Sequence, residues 1–462
     1  MLDKNLVADV LTAALSTGAS FAEVFAENTT TGNIVLVNGI VEQAQSGLDY
    51  GIGIRIFDGL NAVYAYTNDS SRDNLIRVAK EAAGAVKERK HTKIADLVVL
   101  NFDNISPMKT PYNTIPKKQI VDMLRISGEA SKQTDSQITG TRATYLDVVT
   151  NVLVANSEGI WGEDQRNRTR VAISAVASSA NEKQTATRSP GAGQGFEFYE
   201  GMDFAGMGRD CAKEAVTMLH AGYAPSGKMD VVIGNGFGGV IFHEACGHSL
   251  EATGVAKQAS EFWDKKGKQI ANPIVNAIDD GTTPGAWGSQ NMDDEGGKPR
   301  RNVLIKDGIL NTFLIDKLNG LRMGEESTGS GRRQNYRFAP TSRMTNTYID
   351  SGDSTLDQII SATEYGIYAK RMGGGSVTPA TGEFNFAVLE SYMIRNGKIA
   401  EPVRGASLIG RGSEVLMNID MVGNDMDHGQ GMCGSVSGSI PANCGQPSLR
   451  VKDILVGGRS EA

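Results

Sequence analysis

Tight turns between apolar runs are the feature that most limits the folds open to this chain. Asp58-Gly59, Asp307-Gly308 and Asn396-Gly397 are pairs of this kind. Asn-Gly and Asp-Gly pairs favour the short turns that join neighbouring antiparallel strands. Hairpins spread along the chain predict a β-rich protein, and they argue against a regular alternation of parallel strands with helices.

Helical patterns are concentrated towards the N-terminus. Leu2 and Leu6 begin an apolar series at helical spacing, and strand patterns follow it. The glycine-rich stretch 189–195 is a candidate break between domains. We therefore expect an α+β fold, with an N-terminal α+β domain over 1–195. A β-rich C-terminal domain over 196–462 is expected to carry one prominent helix.

Charge and cysteine content exclude several classes of protein. The chain has 46 Lys and Arg against 53 Asp and Glu, so its net charge is −7. Nucleic-acid affinity comes mostly from clustered positive charge, so we expect no nucleic-acid partner. No uncharged apolar stretch reaches the roughly 20 residues of a membrane span. Four cysteines in 462 residues do not make a disulfide framework, and we expect a cytoplasmic protein.

The prominent helix contains the sequence His243-Glu244-Ala-Cys-Gly-His248. A zinc hydrolase needs imidazoles that converge on one point and a carboxylate that accepts a proton from water. Positions five apart diverge by roughly 140° on an ideal α-helix. The two imidazoles therefore converge only if the helix is locally loosened, for example by a π-bulge, which Gly247 favours. The spacing alone leaves open that both are ordinary helix histidines.

A third metal ligand must come from elsewhere in the chain. Glu251 lies one turn beyond the second histidine, and His428, Cys433 and Cys444 are candidates near the C-terminus. A thiolate is a better zinc ligand than a carboxylate, because it is soft and is deprotonated by the metal. Spacing does not choose between these four residues.

A dinucleotide site is an alternative at the same place. Gly234-x-Gly236-x-x-Gly239 follows a short strand and precedes a helix, as in NAD-binding oxidoreductases, and Glu261 lies where the ribose-binding acid belongs. The segment around Glu261 is polar, however, and contains no second parallel strand. We favour a tight turn whose free backbone N–H groups, near Gly236, hold a substrate carbonyl.

Several motifs along the chain resemble those of one known family. They are Val37–Gly39, Gly51–Arg55, His243–Glu251, Thr328–Arg333, Arg343–Thr347, Gly382–Phe386, Gly405–Gly410, Met432–Gly434 and Gly445–Pro447. Together they resemble the TldD/PmbA family, and specifically its TldD-type metallopeptidase branch. The resemblance covers nearly the whole chain.

The resemblance implies a zinc metallopeptidase. By motif match, His243, His248 and Cys433 would bind the zinc ion and Glu244 would be the general base. Cys433 is preferred over Cys444 because it stands in a Met-Cys-Gly setting. Such proteins hydrolyse unfolded or short peptides and process some precursor peptides.

The resemblance also implies a dimer, either with a TldE/PmbA-type subunit that lacks the motif or with a second copy. A non-enzymatic partner subunit is a further alternative, although such a subunit has no reason to keep all four motif residues. Arg332 and Arg333 lie in a basic segment that either forms internal ion pairs or holds the backbone of an extended peptide.

Overall fold

The computed structural model describes residues 1–86 and 92–459; the last residues of the predicted C-terminal domain, 460–462, lie outside them. The N-terminal elements are α1 (Lys4–Ala14), β1 (Phe21–Val37), β2 (Ile40–Asp58), β3 (Asn61–Thr67), α2 (Arg72–Ala83), β4 (Val98–Leu100), α3 (Lys117–Thr134), β5 (Ile138–Asn156), β6 (Ile160–Ser178), β7 (Lys183–Arg188), β8 (Gly191–Ala192) and α4 (Phe204–His220).

The C-terminal elements follow directly. They are β9 (Gly222–Tyr223), β10 (Gly227–Ile233), α5 (Val240–Phe242), α6 (Ala252–Val255), β11 (Ala277–Asp280), β12 (Arg301–Lys306), β13 (Ile309–Leu310), α7 (Lys317–Met323), β14 (Gly331–Arg332), β15 (Thr341–Ser342), β16 (Asn346–Ile349), α8 (Leu356–Ser361), β17 (Tyr365–Thr378), β18 (Glu383–Arg395), β19 (Lys398–Arg404), β20 (Ser407–Arg411), α9 (Gly412–Asn418), β21 (Ile419–Val422), β22 (Asp427–Ser435), β23 (Gly438–Gln446) and β24 (Leu449–Gly457). This mixture of helices and strands confirms the predicted α+β class. Strands predominate in the C-terminal half, as predicted.

One sheet forms the N-terminal half. Its strand order is β3-β2-β1-β5-β6-β4, and β7 and β8 also pair with β6. Along β1, Ala22, Val24, Ile34 and Leu36 are separated by even numbers of residues, so their side chains share one face. Helices α1 and α2 cover the beginning of that face, and α3 and α4 cover its end.

The opposite face of this sheet packs on the C-terminal half. Phe25 and Val154 contact Met292 and Tyr336 in a small apolar core between the two halves. Helix α4 packs on the first sheet together with α3. The boundary at residue 195 stays a prediction.

Two larger sheets form the C-terminal half. One has the order β17-β10-β24-β20-β18-β19-β9, and the other has the order β13-β12-β11-β16-β23-β22. The turns predicted at Asp307-Gly308 and Asn396-Gly397 join β12 to β13 and β18 to β19. All four residues have positive φ angles, as paired turns of this type require. No helix in the described ranges is both long and apolar enough to span a membrane.

A buried network of charges joins the two halves. Arg55 on β2 pairs with Glu23 on β1 and with Glu295 of the C-terminal half, each at 2.7 Å. Arg333 reaches Glu23 from the C-terminal half, also at 2.7 Å. These four side chains are at most 5% exposed. Charges withdrawn from water to this extent depend on their partners, so the network fixes how the halves meet.

Removing one partner of this network tests that dependence. We expect Arg55→Leu to lower the free energy of unfolding by about 3–5 kcal/mol, because Glu23 and Glu295 would lose a buried partner. Urea denaturation would measure the change. Arg77→Leu is the matched control, since Arg77 forms an exposed pair with Glu81 and its loss should cost under about 1 kcal/mol. Equal losses in the two variants would contradict the prediction.

Candidate metal centre

The two motif histidines converge because the helix between them is locally widened. His243–Gly247 form a π-helical turn between α5 and a 3₁₀ turn at His248–Leu250. The N–H of His248 donates to the carbonyl oxygen of His243, five residues earlier. The two imidazole centroids are therefore only 5.3 Å apart. The loosening that the spacing requires is present in the structure.

Gly247 is needed for this turn to pack. A Cβ atom at Gly247 would lie 2.3 Å from the sulfur of Met344. On the other side, a Cβ at Gly412 would lie 2.3 Å from the carbonyl oxygen of Ala245. Real Cβ atoms do not approach other atoms so closely, so the two glycines let the π-helical turn sit tightly between its neighbours.

Cys433 completes a cluster of three possible metal ligands. Its Sγ lies 3.2 Å from Nε2 of His243 and 3.2 Å from Nε2 of His248. The three donor atoms all lie within 4.8 Å of one another, and no other such group occurs in the described part of the chain. Burial alone would raise the pKa of the Cys433 thiol, but the charge and hydrogen bonds of the two imidazoles lower it to about 3. The two imidazoles therefore favour the thiolate form of this sulfur.

Two glutamates flank His248 in different ways. Glu244 Oε2 lies 3.6 Å from Nε2 of His248, and the Glu244 side chain is 26% exposed. Glu251 Oε2 lies 3.1 Å from Nδ1 of the same ring and is buried. Glu244 therefore stands on the open side of the centre, next to the donor nitrogen. Glu251 holds the opposite ring nitrogen and lies outside the three-residue cluster.

Arg343 connects Glu251 to the strand that carries Cys433. Its Nε lies 3.6 Å from Glu251 Oε1, and its Nη2 donates to the carbonyl oxygen of Cys433. Its Nη1 donates to Ser437 Oγ at 3.0 Å. This fully buried arginine ties the helical turn to the hairpin. The sequence groups Arg343 with the basic segment of Arg332 and Arg333, but it does not predict the contact with Glu251, because that contact joins residues far apart in the chain.

The strand that carries Cys433 is also anchored from outside the metal centre. Strand β22 is the edge strand of the six-stranded sheet. Arg170 of the N-terminal sheet donates to the carbonyl oxygen of Gln430 at 3.1 Å. Trp287 Nε1 donates to the carbonyl oxygen of Gly431 at 2.8 Å. The position of Cys433 thus depends on both halves of the molecule.

The other candidate ligands lie elsewhere. Cys444 Sγ donates weakly to the carbonyl oxygen of Gly429, and burial raises the pKa of its thiol. The ring of His428 packs edge-on against Tyr348, with centroids 5.3 Å apart. Cys246 is buried within the π-helical turn itself, where burial raises the pKa of its thiol.

Glycines of the Gly234-x-Gly236-x-x-Gly239 motif allow neighbouring backbone segments to approach closely. A Cβ at Gly234 would lie 2.4 Å from the carbonyl oxygen of Lys370, and one at Gly239 would lie 2.4 Å from that of Gly445. The preceding strand β10 has one parallel and one antiparallel neighbour. A doubly wound parallel sheet, which a dinucleotide site requires, is not formed here.

The three predicted substrate-binding residues lie at two cavities. Gly236, with a φ of +66°, lines a cavity of about 640 Å³ between the two halves. Arg332 and Arg333 line a second cavity of about 320 Å³. The Arg333 guanidinium is already held by Glu23 and by the carbonyl oxygen of Asp294.

Comparison with protein families gives matches along most of the chain. Residues 22–86 match PmbA/TldA metallopeptidase domain 1, and residues 110–219 match the PmbA/TldA metallopeptidase central domain. Residues 226–458 match the PmbA/TldA metallopeptidase C-terminal domain, which contains the metal cluster.

Similar proteins are known from bacteria and archaea. A Metalloprotease TldD homolog from Haemophilus influenzae is 34% identical over 453 residues, which cover 95% of this chain and 93% of the relative. A Metalloprotease from Methanothermobacter thermautotrophicus is 31% identical and covers 95% of both chains.

Solved structures show the same fold. A putative modulator of DNA gyrase from Thermotoga maritima superposes with a TM-score of 0.80 at 20% identity, over 98% of this chain and 100% of that one. TldE from Thermococcus kodakarensis gives a TM-score of 0.77 at 15% identity, over 98% and 100%. The family domains, the full-length relatives and the shared fold agree, and the chain belongs to the PmbA/TldD metallopeptidase family.

Proposed function

We propose that the protein is a zinc-dependent peptidase in which His243, His248 and Cys433 hold the ion. The observation that carries the proposal is the convergence of two imidazole nitrogens and one thiolate within 4.8 Å. Two nitrogens and one sulfur form a donor set that zinc accepts, and three protein ligands leave a coordination position open. The residues present therefore fit the ion.

Glu244 is the general base in this proposal. Bound zinc supplies Lewis acidity at the scissile carbonyl. Glu244 Oε2 lies beside Nε2 of His248 and is reachable from solvent, so it accepts a proton from the attacking water and passes it to the leaving amine. Glu251 fixes the tautomer of His248 by holding its Nδ1 atom, so the Nε2 lone pair faces the metal position.

The proposed substrates are unfolded or short peptides, including precursor peptides that are processed or degraded. Arg332 and Gly236 line open cavities, so we assign them to peptide binding. Arg333 supports that site by fixing the chain beside Arg332, since its own guanidinium is bound to Glu23. All four cysteines are free, which suits the reducing cytoplasm.

A dimer is the proposed working form, either with a TldE-type subunit or with a second copy. TldE from Thermococcus kodakarensis has the same fold, which supports a partner of that kind, and two-fold dimers are the commonest soluble homo-oligomers, which supports a second copy. A purely structural role for this chain is disfavoured because all four motif residues are present and three of them converge.

The general base is tested by Glu244→Gln. We expect the variant to keep its zinc and to lose peptidase activity by about 10²–10⁴-fold, because the amide cannot accept the proton. Cleavage of an unfolded peptide and metal content would be measured on the same preparation. Glu401→Gln removes an exposed carboxylate that pairs with Arg395 and should behave like the wild type. Full activity in Glu244→Gln would remove Glu244 from the mechanism.

The thiolate ligand is tested by Cys433→Ser against Cys444→Ser. Untagged wild-type protein should contain about one zinc ion per chain by elemental mass spectrometry. Cys433→Ser should weaken zinc binding by more than the roughly 10–100-fold typical of changes outside the ligand set. Cys444→Ser should bind zinc like the wild type, and the reverse pattern would show that the wrong cysteine was assigned.

The supporting carboxylate is tested by Glu251→Gln. We expect zinc affinity to fall by about 10–100-fold, because the amide orients His248 less firmly. Competition with a chromogenic chelator would give the affinity. Glu383→Gln, which alters an exposed pair with Arg411, is the control. Unchanged affinity in Glu251→Gln would show that the contact with His248 is unimportant for the metal.

A further inference from the structure

The 320 Å³ cavity lined by Arg332 lies on the far side of the hairpin from the metal centre. Met432 on β22 and Pro441 on β23 are opposite each other in the strand register, and both line this cavity. Cys433 is the next residue along β22, so its side chain faces the other way, towards the histidines. Further walls come from the first sheet, including Val148 and Arg168, and from Trp287 of the C-terminal half.

Two guanidinium groups in this cavity lack a carboxylate partner. Arg168 Nε donates to the carbonyl oxygen of Trp287 at 3.1 Å, and Arg332 Nη1 donates to that of Met344 at 2.6 Å. Within the described ranges, neither arginine forms an ion pair. Arg332 is only 2% exposed. A buried positive charge with no carboxylate at ion-pair distance is costly, so this arrangement favours an anion.

The other charged groups that line the cavity do not supply that anion. Arg166 takes the carboxylate of Asp294, and Arg337 takes that of Asp49. Glu27 accepts the backbone N–H of Tyr336.

The pKa values of Glu27 and Arg332 agree with these contacts. Burial raises the pKa of Glu27 to about 7, so this carboxyl is only partly charged at neutral pH. Burial, and then the charge of Arg168, lower the pKa of Arg332 to about 9. The two arginines therefore feel each other's positive charge, which the negative charge of Asp294 offsets only in part.

The walls are also apolar. The Met432 side chain is 53% exposed, although the neighbouring Cys433 is buried. Trp287 and Val148 contribute further apolar surface. The volume falls near the lower end of the range for small-ligand sites, about 300–1,000 Å³.

We propose that this cavity binds a carboxylate attached to an apolar body, with the carboxylate on Arg168 and Arg332 and the body against Trp287 and Met432. A peptide can offer this chemistry at its C-terminus or in an acidic side chain. A doubly charged phosphate fits less well, because Asp294 and Glu27 line the same space. The proposal rests on the proposed function only in taking Arg332 as a peptide contact.

Calorimetric titration of the full chain would test the proposal without using peptidase activity. N-acetyl-leucine presents a terminal carboxylate on an apolar body, and N-acetyl-leucinamide is its neutral match. We expect the acid to bind at least about tenfold more tightly than the amide, because paired charge-assisted hydrogen bonds are lost in the amide. N-acetyl-glutamate α-amide, which offers a side-chain carboxylate, identifies by its relative affinity which of the two sources the cavity prefers.

Variants of Arg168 and Arg332 test whether N-acetyl-leucine binds in this cavity. Arg168→Gln and Arg332→Gln should each weaken binding of N-acetyl-leucine by about tenfold or more. Arg395→Gln, which alters an exposed pair with Glu401, should leave it unchanged. If Arg332→Gln fails to fold, protection of Arg168 and Arg332 from phenylglyoxal by N-acetyl-leucine, mapped on the wild type, gives the same information.

Three results would overturn the proposal. They are equal binding of acid and amide, inorganic phosphate binding more tightly than N-acetyl-leucine, and an equal loss of binding in Arg395→Gln. Because every measurement is of binding, these failures leave the zinc centre untouched. Conversely, if the protein is inactive or metal-free but still binds N-acetyl-leucine, only the proposed peptidase function is refuted.

Discussion

One hydrogen bond sets the geometry of the candidate metal centre: the N–H of His248 donates to the carbonyl oxygen of His243 across five residues. With ordinary α-helical bonding the two imidazoles would point apart. The wider turn packs tightly against its surroundings, with Gly247 against Met344 and Gly412 against Ala245. Short stretches of π-helix are uncommon and often mark functional sites. Here the unusual turn is what makes a six-residue motif able to offer two ligands.

Much of the fold was predictable because its signals are local. Asp307-Gly308 and Asn396-Gly397 form the expected turns, since positive φ at adjacent positions favours these residue types. The five-residue spacing is also a local signal: it indicated that the two imidazoles converge only if the helix is loosened, and it left open that both are ordinary helix histidines. Sequence spacing could not decide whether Cys433 or Cys444 lies beside the two histidines. By the register of β22 and β23 both face the same side, and only their separation of four strand residues, roughly 13 Å, distinguishes them.

Arg332 and Arg333 show that sequence-based prediction has the same limit for single side chains. Arg332 and Arg333 are adjacent in the sequence and equally basic, yet one is bound to Glu23 and the other has no carboxylate partner in the part of the chain described. Their difference comes from residues about 160 to 310 positions away, which meet them only after the two halves assemble. The roles of such side chains depend on long-range contacts that no window of sequence contains.

The anchoring of β22 links the junction between the two halves to the candidate metal centre. The edge strand is held by Arg170 on the N-terminal sheet and by Trp287, while its Cys433 faces the histidines. The hairpin therefore connects the interface between the two halves to the candidate metal position. Coupling between two sites is reciprocal, so if metal binding steadies this junction, an intact junction strengthens metal binding by the same factor.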